Sequence, residues 1–155
     1  ASALVNNFAR PPKGGDRDQI KAVAAGQCDI AIANTYYLAG MLSDKEPETQ
    51  EVAKKVKVLW PNQDGRGAHV NISGAAIAKH APNKAAAIKL LEYMSEQEAQ
   101  AWYAEKNHEY PLHEGVEWSP VLSAFGPFKS ERIQLGRVGE LNAQAVQLMD
   151  RAGWK

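Results

Sequence analysis

The chain has 155 residues, 45% of them hydrophobic and 23% charged, and its 18 basic residues balance 18 acidic ones. This is the composition of one globular domain of ordinary size, and the even charge lacks the basic footprint of a nucleic-acid binder. No stretch nears the roughly 20 apolar residues of a membrane span, and Ala1 to Arg10 lacks the basic-then-apolar order of a signal peptide. Cys28 is the only cysteine, which excludes an internal disulfide framework or a multi-cysteine zinc site; beside an apolar run it reads as a small buried residue.

Residues 1–15, punctuated by Pro11, Pro12, Gly14 and Gly15, are predicted as a loop or strand end. Asp16 is a natural N-cap, with Gln19 three residues on, and Ile20, Val23 and Ala24 make an apolar helical face that stops at Gly26. A short strand is predicted at Asp29 to Ala33. A helix then starts near Asn34 or Thr35 and carries Tyr36, Tyr37, Leu38, Met41 and Leu42. Further helix is expected over Gln50 to Lys55, and a strand over Val56 to Leu59, ended by Pro61.

A turn-rich loop fills 62–67. His69 to Ala78 is predicted to be extended, with a bend at Gly74. Pro82 suits a first helical turn, Ala85 to Met94 is rich in helix formers, and Ser95 with Glu98 makes a capping box for another helix to about Glu105. Asn107 to Val116 is predicted to be irregular, and Trp118 to Pro127 a loop or short turns. A last helix from Val138 to Asp150 should bury Val138, Leu141, Ala145, Leu148 and Met149. This order of elements is α/β. About three or four strands would serve five or six helices, which suggests a piece of something larger or a strand-swapped copy.

The run Asn34-Thr35-Tyr36-Tyr37 lies where a predicted strand gives way to a helix. Open α/β sheets bind ligands at that edge, and a helix start offers free N–H groups and partial positive charge. That potential should favour the phenolates of Tyr36 and Tyr37, against a usual pKa of ~10. A phenolate is a hard oxygen donor, suited to hard ferric iron. An irregular helix start lets both oxygens reach one ion. The plainer arrangement, Tyr36 in a core and Tyr37 over a surface, stays open on these residues alone.

Other candidates are weaker. His69, His80, His108 and His113 make no i, i+4 pair. His108, Glu109, Tyr110, His113 and Glu114 look superficially like a metal cluster but read better as solvated loop side chains. Gly65-Arg66-Gly67 is a sharp turn without the fingerprint of a nucleotide loop. The four tryptophans are spread out as packing anchors. No serine nucleophile elbow or paired carboxylates are visible, so nothing points to an enzyme.

Two runs carry a family resemblance: Gly26-Gln27-Cys28-Asp29-Ile30-Ala31-Ile32-Ala33-Asn34-Thr35-Tyr36-Tyr37, and Trp60-Pro61-Asn62-Gln63-Asp64-Gly65-Arg66-Gly67-Ala68-His69-Val70-Asn71-Ile72-Ser73-Gly74. With the segment Lys79 to Gln100, they resemble the ferric-binding proteins of ABC-type iron importers, cyanobacterial members above all. The resemblance covers essentially the whole chain but only the second half of such proteins. It implies that Tyr36 and Tyr37 ligate Fe(III), and that Asn34 lies near the metal and the anion that accompanies it in some members. It implies the α/β, two-lobed class II periplasmic-binding-protein fold. Residues 1–66 would belong to the second lobe, 67–117 would return to the first lobe, and 118–155 would pack again on the second. The implied partners are the other half of the protein and an ABC permease, and the implied location is the periplasm. Large apolar surfaces should therefore await that other half. A binding protein for an oxyanion or small organic acid, or the effector domain of a regulator, remains an alternative.

Overall fold

A computed structural model describes residues 1–154. Eight helices follow one another along it: α1 (Ser2–Asn6), α2 (Asp16–Ala24), α3 (Thr35–Leu42), α4 (Pro47–Ala53), α5 (Lys84–Met94), α6 (Gln97–Lys106), α7 (Pro120–Ser123) and α8 (Leu135–Ala152). The first helix was not expected. It is a single turn that docks on α8, where Phe8 meets Trp154 edge to face at 5.3 Å.

The start of α2 differs from the sequence expectation. Gly15, not Asp16, caps it, and the Gly15 N–H donates to Asp18 Oδ2 at 2.8 Å. Gln19 reaches back to the Lys13 carbonyl at 2.9 Å instead of completing the predicted box. The Asp16 carboxylate is thereby free of capping duty. Gly26, with φ +70°, closes the helix as predicted. Asn34 caps α3, also as predicted. Helix α4 starts earlier than expected because Pro47 is well suited to a first helical position.

Helices α2, α3 and α4 pack on one another around Ile20, Leu38, Met41 and Ala53. Tyr37, Val52, Val56, Val58 and Phe125 flank this core. Helix α7, within a stretch read as a loop or short turns, packs on α3 and brings in the fully buried Leu122. Helices α5 and α6 form a separate pair. The capping box proposed between them does not form. Ser95 Oγ donates to the Leu91 carbonyl at 3.1 Å and so closes α5, while Glu96 caps α6.

The predicted strands 29–33, 56–59 and 69–78 form no ladder. Among the described residues the only bridge is the parallel pair Ala68 and Ser130. A strand exists by pairing, and among the described residues no second strand lies alongside these segments. Ile30, Ile32 and Leu59 are accordingly more than 70% exposed (72%, 76% and 76%). The stripe on α8 is likewise open: none of its residues is buried, and Val138, Leu148 and Met149 all lie exposed. Cys28 is half-buried rather than fully covered.

At the bridge, two distant segments touch. The Ala68 N–H donates to the Lys129 carbonyl, and the Glu131 N–H to the Ala68 carbonyl, both at 2.8 Å. Gly67 sits there with φ +95°, and a Cβ on it would fall 2.6 Å from the Lys129 carbonyl oxygen. Only glycine tolerates both constraints. The Lys129 N–H donates to Gln63 Oε1 at 2.7 Å, which ties the turn 62–67 to the same crossing.

Candidate metal centre

Tyr36 and Tyr37 occupy the first turn of α3, after the Asn34 cap and Thr35. Their ring centroids are 4.6 Å apart with planes tilted by 47°. Successive residues on a regular helix diverge by about 100°, so this pairing brings together two rings that a regular helix would splay. Both are half-buried. Tyr37 leans on the Ile20–Leu38–Met41 core, and the Arg17 guanidinium lies 5.3 Å from its ring centroid.

The electrostatics correct one expectation. The Tyr36 phenol is held above its usual range, not below it, by burial first and then by the Tyr37 phenol, Asp16 and Glu109. Burial disfavours the charged form, and the neighbouring Tyr37, Asp16 and Glu109 add to it in the same direction. Those carboxylates oppose a lone phenolate but favour a multivalent cation, whose charge inverts the balance.

Asn34 is held on both sides. Its backbone N–H donates to Asp16 Oδ2 at 2.7 Å, and its side-chain Nδ2 donates to the same oxygen at 3.2 Å. Its Oδ1 accepts from Asn71 Nδ2 at 3.2 Å. The cap of α3 is thus fastened to the start of α2 and to the 69–78 segment.

The loop after α6 comes close to this end of the molecule. Glu109 is near enough to act on Tyr36. The His108 ring lies against Gly40, its Cδ2 3.8 Å from where a Cβ would stand there. Burial holds the His108 imidazole below its usual pKa, and its Nδ1 is buried without a partner. The rest of the loop scatters. His113 Nδ1 is 2.7 Å from the Glu114 carbonyl oxygen. Tyr110 turns into an aromatic cluster with Trp60, Trp118 and Phe128, where burial pushes its phenol to about 12. His69 pairs with Glu131 at 3.1 Å. Among the described residues no three histidine, cysteine, aspartate or glutamate side chains gather as a metal cluster. Two open depressions, of about 600 Å³ beside Arg66 and Glu131 and about 460 Å³ beside Lys21 and Lys55, lie away from the tyrosines.

Asp16, Arg17, Asn71 and Glu109 are the neighbours that sequence reasoning missed. Asp16 had a usable signal. In a helix–strand–helix run both helices begin at the carboxyl edge of the strand, so the first residue of α2 and the cap of α3 must be neighbours. Glu109 had none, because its approach depends on a fold-back across more than 70 residues of intervening chain.

Known proteins resemble this chain in sequence and in fold. The chain is 43% identical over its whole length to Iron uptake protein A1 of Synechocystis, covering 43% of that protein. It is 45% identical over 98% of its length to Iron uptake protein A2 of the same organism, covering 44% of it. It spans less than half the length of these relatives. Among solved structures, the Trichodesmium IdiA (FutA) protein in complex with iron and citrate superposes with a TM-score of 0.94 at 54% identity, over 99% of this chain and 49% of that one. A ferric binding protein from Campylobacter jejuni gives 0.94 at 38% identity, over 99% and 49%. The chain is therefore part of a two-lobed α/β periplasmic-binding-protein fold, as the resemblance implied. This accounts for strands that lack partners within it. The model of the bacterial extracellular solute-binding protein family matches residues 3–124, and the chain belongs to that family.

Proposed function

We propose that this chain supplies two phenolate ligands, Tyr36 and Tyr37, to a ferric-iron-binding protein that delivers its cargo to an ABC-type permease from the periplasm. The observation that carries the proposal is the pair of phenols converging at the start of α3, with Asp16 and Glu109 beside them. Hard oxygen donors in a negative field suit Fe(III) better than softer metals. The names of the relatives, iron uptake and ferric-binding proteins, support the same reading. Binding and release, not catalysis, is the activity.

The packing supports a division of labour along the chain. The α2–α4 group, with Phe125 and Leu122 returning to it, fits a second-lobe portion built from 1–66 and 118–155. The separate α5–α6 pair fits a 67–117 portion in the first lobe. The remaining ligands would come from the other half of the protein, which is also the partner for the open apolar surfaces.

The test is a visible absorption titration with ferric citrate, with and without the complementary half. A ferric–phenolate charge-transfer band should appear and should be lost in the Tyr36→Phe, Tyr37→Phe double variant. Proton release on binding should make the band fade with acid. A band that survives the double substitution, or no band in the reassembled protein, would overturn the proposal.

A further inference from the structure

We propose that Glu109 is a further residue of the tyrosine site, a cation-selecting carboxylate laid against α3 by the passage 107–112. The inference deepens the iron-site reading and rests on it for its biological meaning. Gly40 stands four residues after Tyr36, so the two share a face of α3. The His108 ring covers that face at Gly40, its Cδ2 3.8 Å from where a Cβ would stand. The next residue of the passage, Glu109, reaches Tyr36, where its charge acts together with that of Asp16.

The passage is anchored on both sides of Glu109. The N–H groups of Asn107 and Glu109 both donate to the Tyr103 carbonyl of α6, at 2.9 and 3.4 Å. The Leu112 N–H donates to Gln100 Oε1 at 2.8 Å, and Gln100 Nε2 in turn donates to the Met94 carbonyl at 2.9 Å. Leu112 itself is 75% exposed, so hydrogen bonds to α6, not apolar burial of Leu112, hold this end. His108 bends the passage with a left-handed φ of 57°. Glu109 is half-buried, and among the described residues no cation pairs with it. The Arg17 guanidinium lies over the Tyr37 ring instead. A partly buried carboxylate without a counter-ion is costly. Two phenols and a second carboxylate beside it are hard oxygen groups, and the one species that suits them all is a hard cation of high charge. Attraction to Glu109 grows with the charge of that cation, which makes it a specificity-determining residue.

Terbium(III), a hard trivalent cation that luminesces when a nearby phenol passes it energy, tests this without iron. The chain is titrated with terbium(III) chloride. The tyrosine-excited luminescence that is lost in Tyr36→Phe is followed in wild type and in Glu109→Gln, which keeps the shape and removes the charge. The expected result is a saturable rise in wild type and terbium bound at least about tenfold more weakly in the variant. Glu109→Asp should recover most of the affinity, and Glu114→Gln, on the same loop, should leave it unchanged. Equal affinity in wild type and Glu109→Gln would overturn the proposal. So would an equal loss in Glu114→Gln, or a wild type without Tyr36-dependent luminescence. Should Glu109→Gln not fold, Glu109→Ala takes its place under the same outcomes. A Glu109-dependent terbium site without a ferric–phenolate band would sink the iron reading alone, and the reverse result would sink this one alone.

Discussion

Helices α3 and α8 both carry an apolar face, yet they end in opposite environments. On α3, Leu38, Ala39 and Met41 are at most 5% exposed, closed in by α2, α4 and α7. On α8, which is more than twice as long, no residue is buried. The difference is not in the pattern. It lies in whether the matching surface is supplied by these 155 residues. The tyrosines lie on the helix whose apolar face is closed by residues of this chain.

Substitutions can break or sharpen that contrast. The largest effect should come from Met41→Ala, which empties a site with 1% exposure and should cost about 2–5 kcal/mol in a urea unfolding experiment. Next is Gly67→Ala, which places a Cβ against the Lys129 carbonyl at a left-handed φ. It should cost about 1–3 kcal/mol, read as a lowered thermal midpoint.

A smaller effect concerns His108. Burial lowers its folded-state pKa, so the unfolded chain takes up the proton first as pH falls. Its contribution to stability is complete above the ordinary histidine range of ~6.5 and is lost as pH falls from there toward the folded value. His108→Asn, a residue that also accepts the positive φ of 57°, should flatten that slope in denaturation measured across the range. The smallest effect should be Leu148→Ala on α8, within about 0.5 kcal/mol in this chain. A loss there as large as that of Met41→Ala would mean that α8 is already packed in solution.

Much of this was legible in the sequence. Helices α2, α3, α5 and α8 follow from periodicity and capping residues, since helices close their hydrogen bonds locally. The tyrosine pair stood out for the same reason, because it follows a residue suited to cap a helix. Strands 29–33 and 56–59 were expected from their apolar residues and did not form, because a strand is completed by a neighbour and none comes alongside among the described residues. The Tyr36 phenol was misjudged because helix position was legible while the burial of its ring, and then the company of Tyr37, Asp16 and Glu109, was not. Ser95 shows the limit of motif reading: the same hydroxyl serves the helix before it as readily as the one after.

The contact of Gly67 with Lys129 and Ser130 has an evolutionary consequence. Two passages some 60 residues apart in sequence share a single volume there, with no room for an added methyl group. Changes at 67–68 can then be accepted only together with changes at 129–131. Across descendants of this chain those positions should vary as a pair, while the open face of α8 should drift in step with sequence that lies outside it.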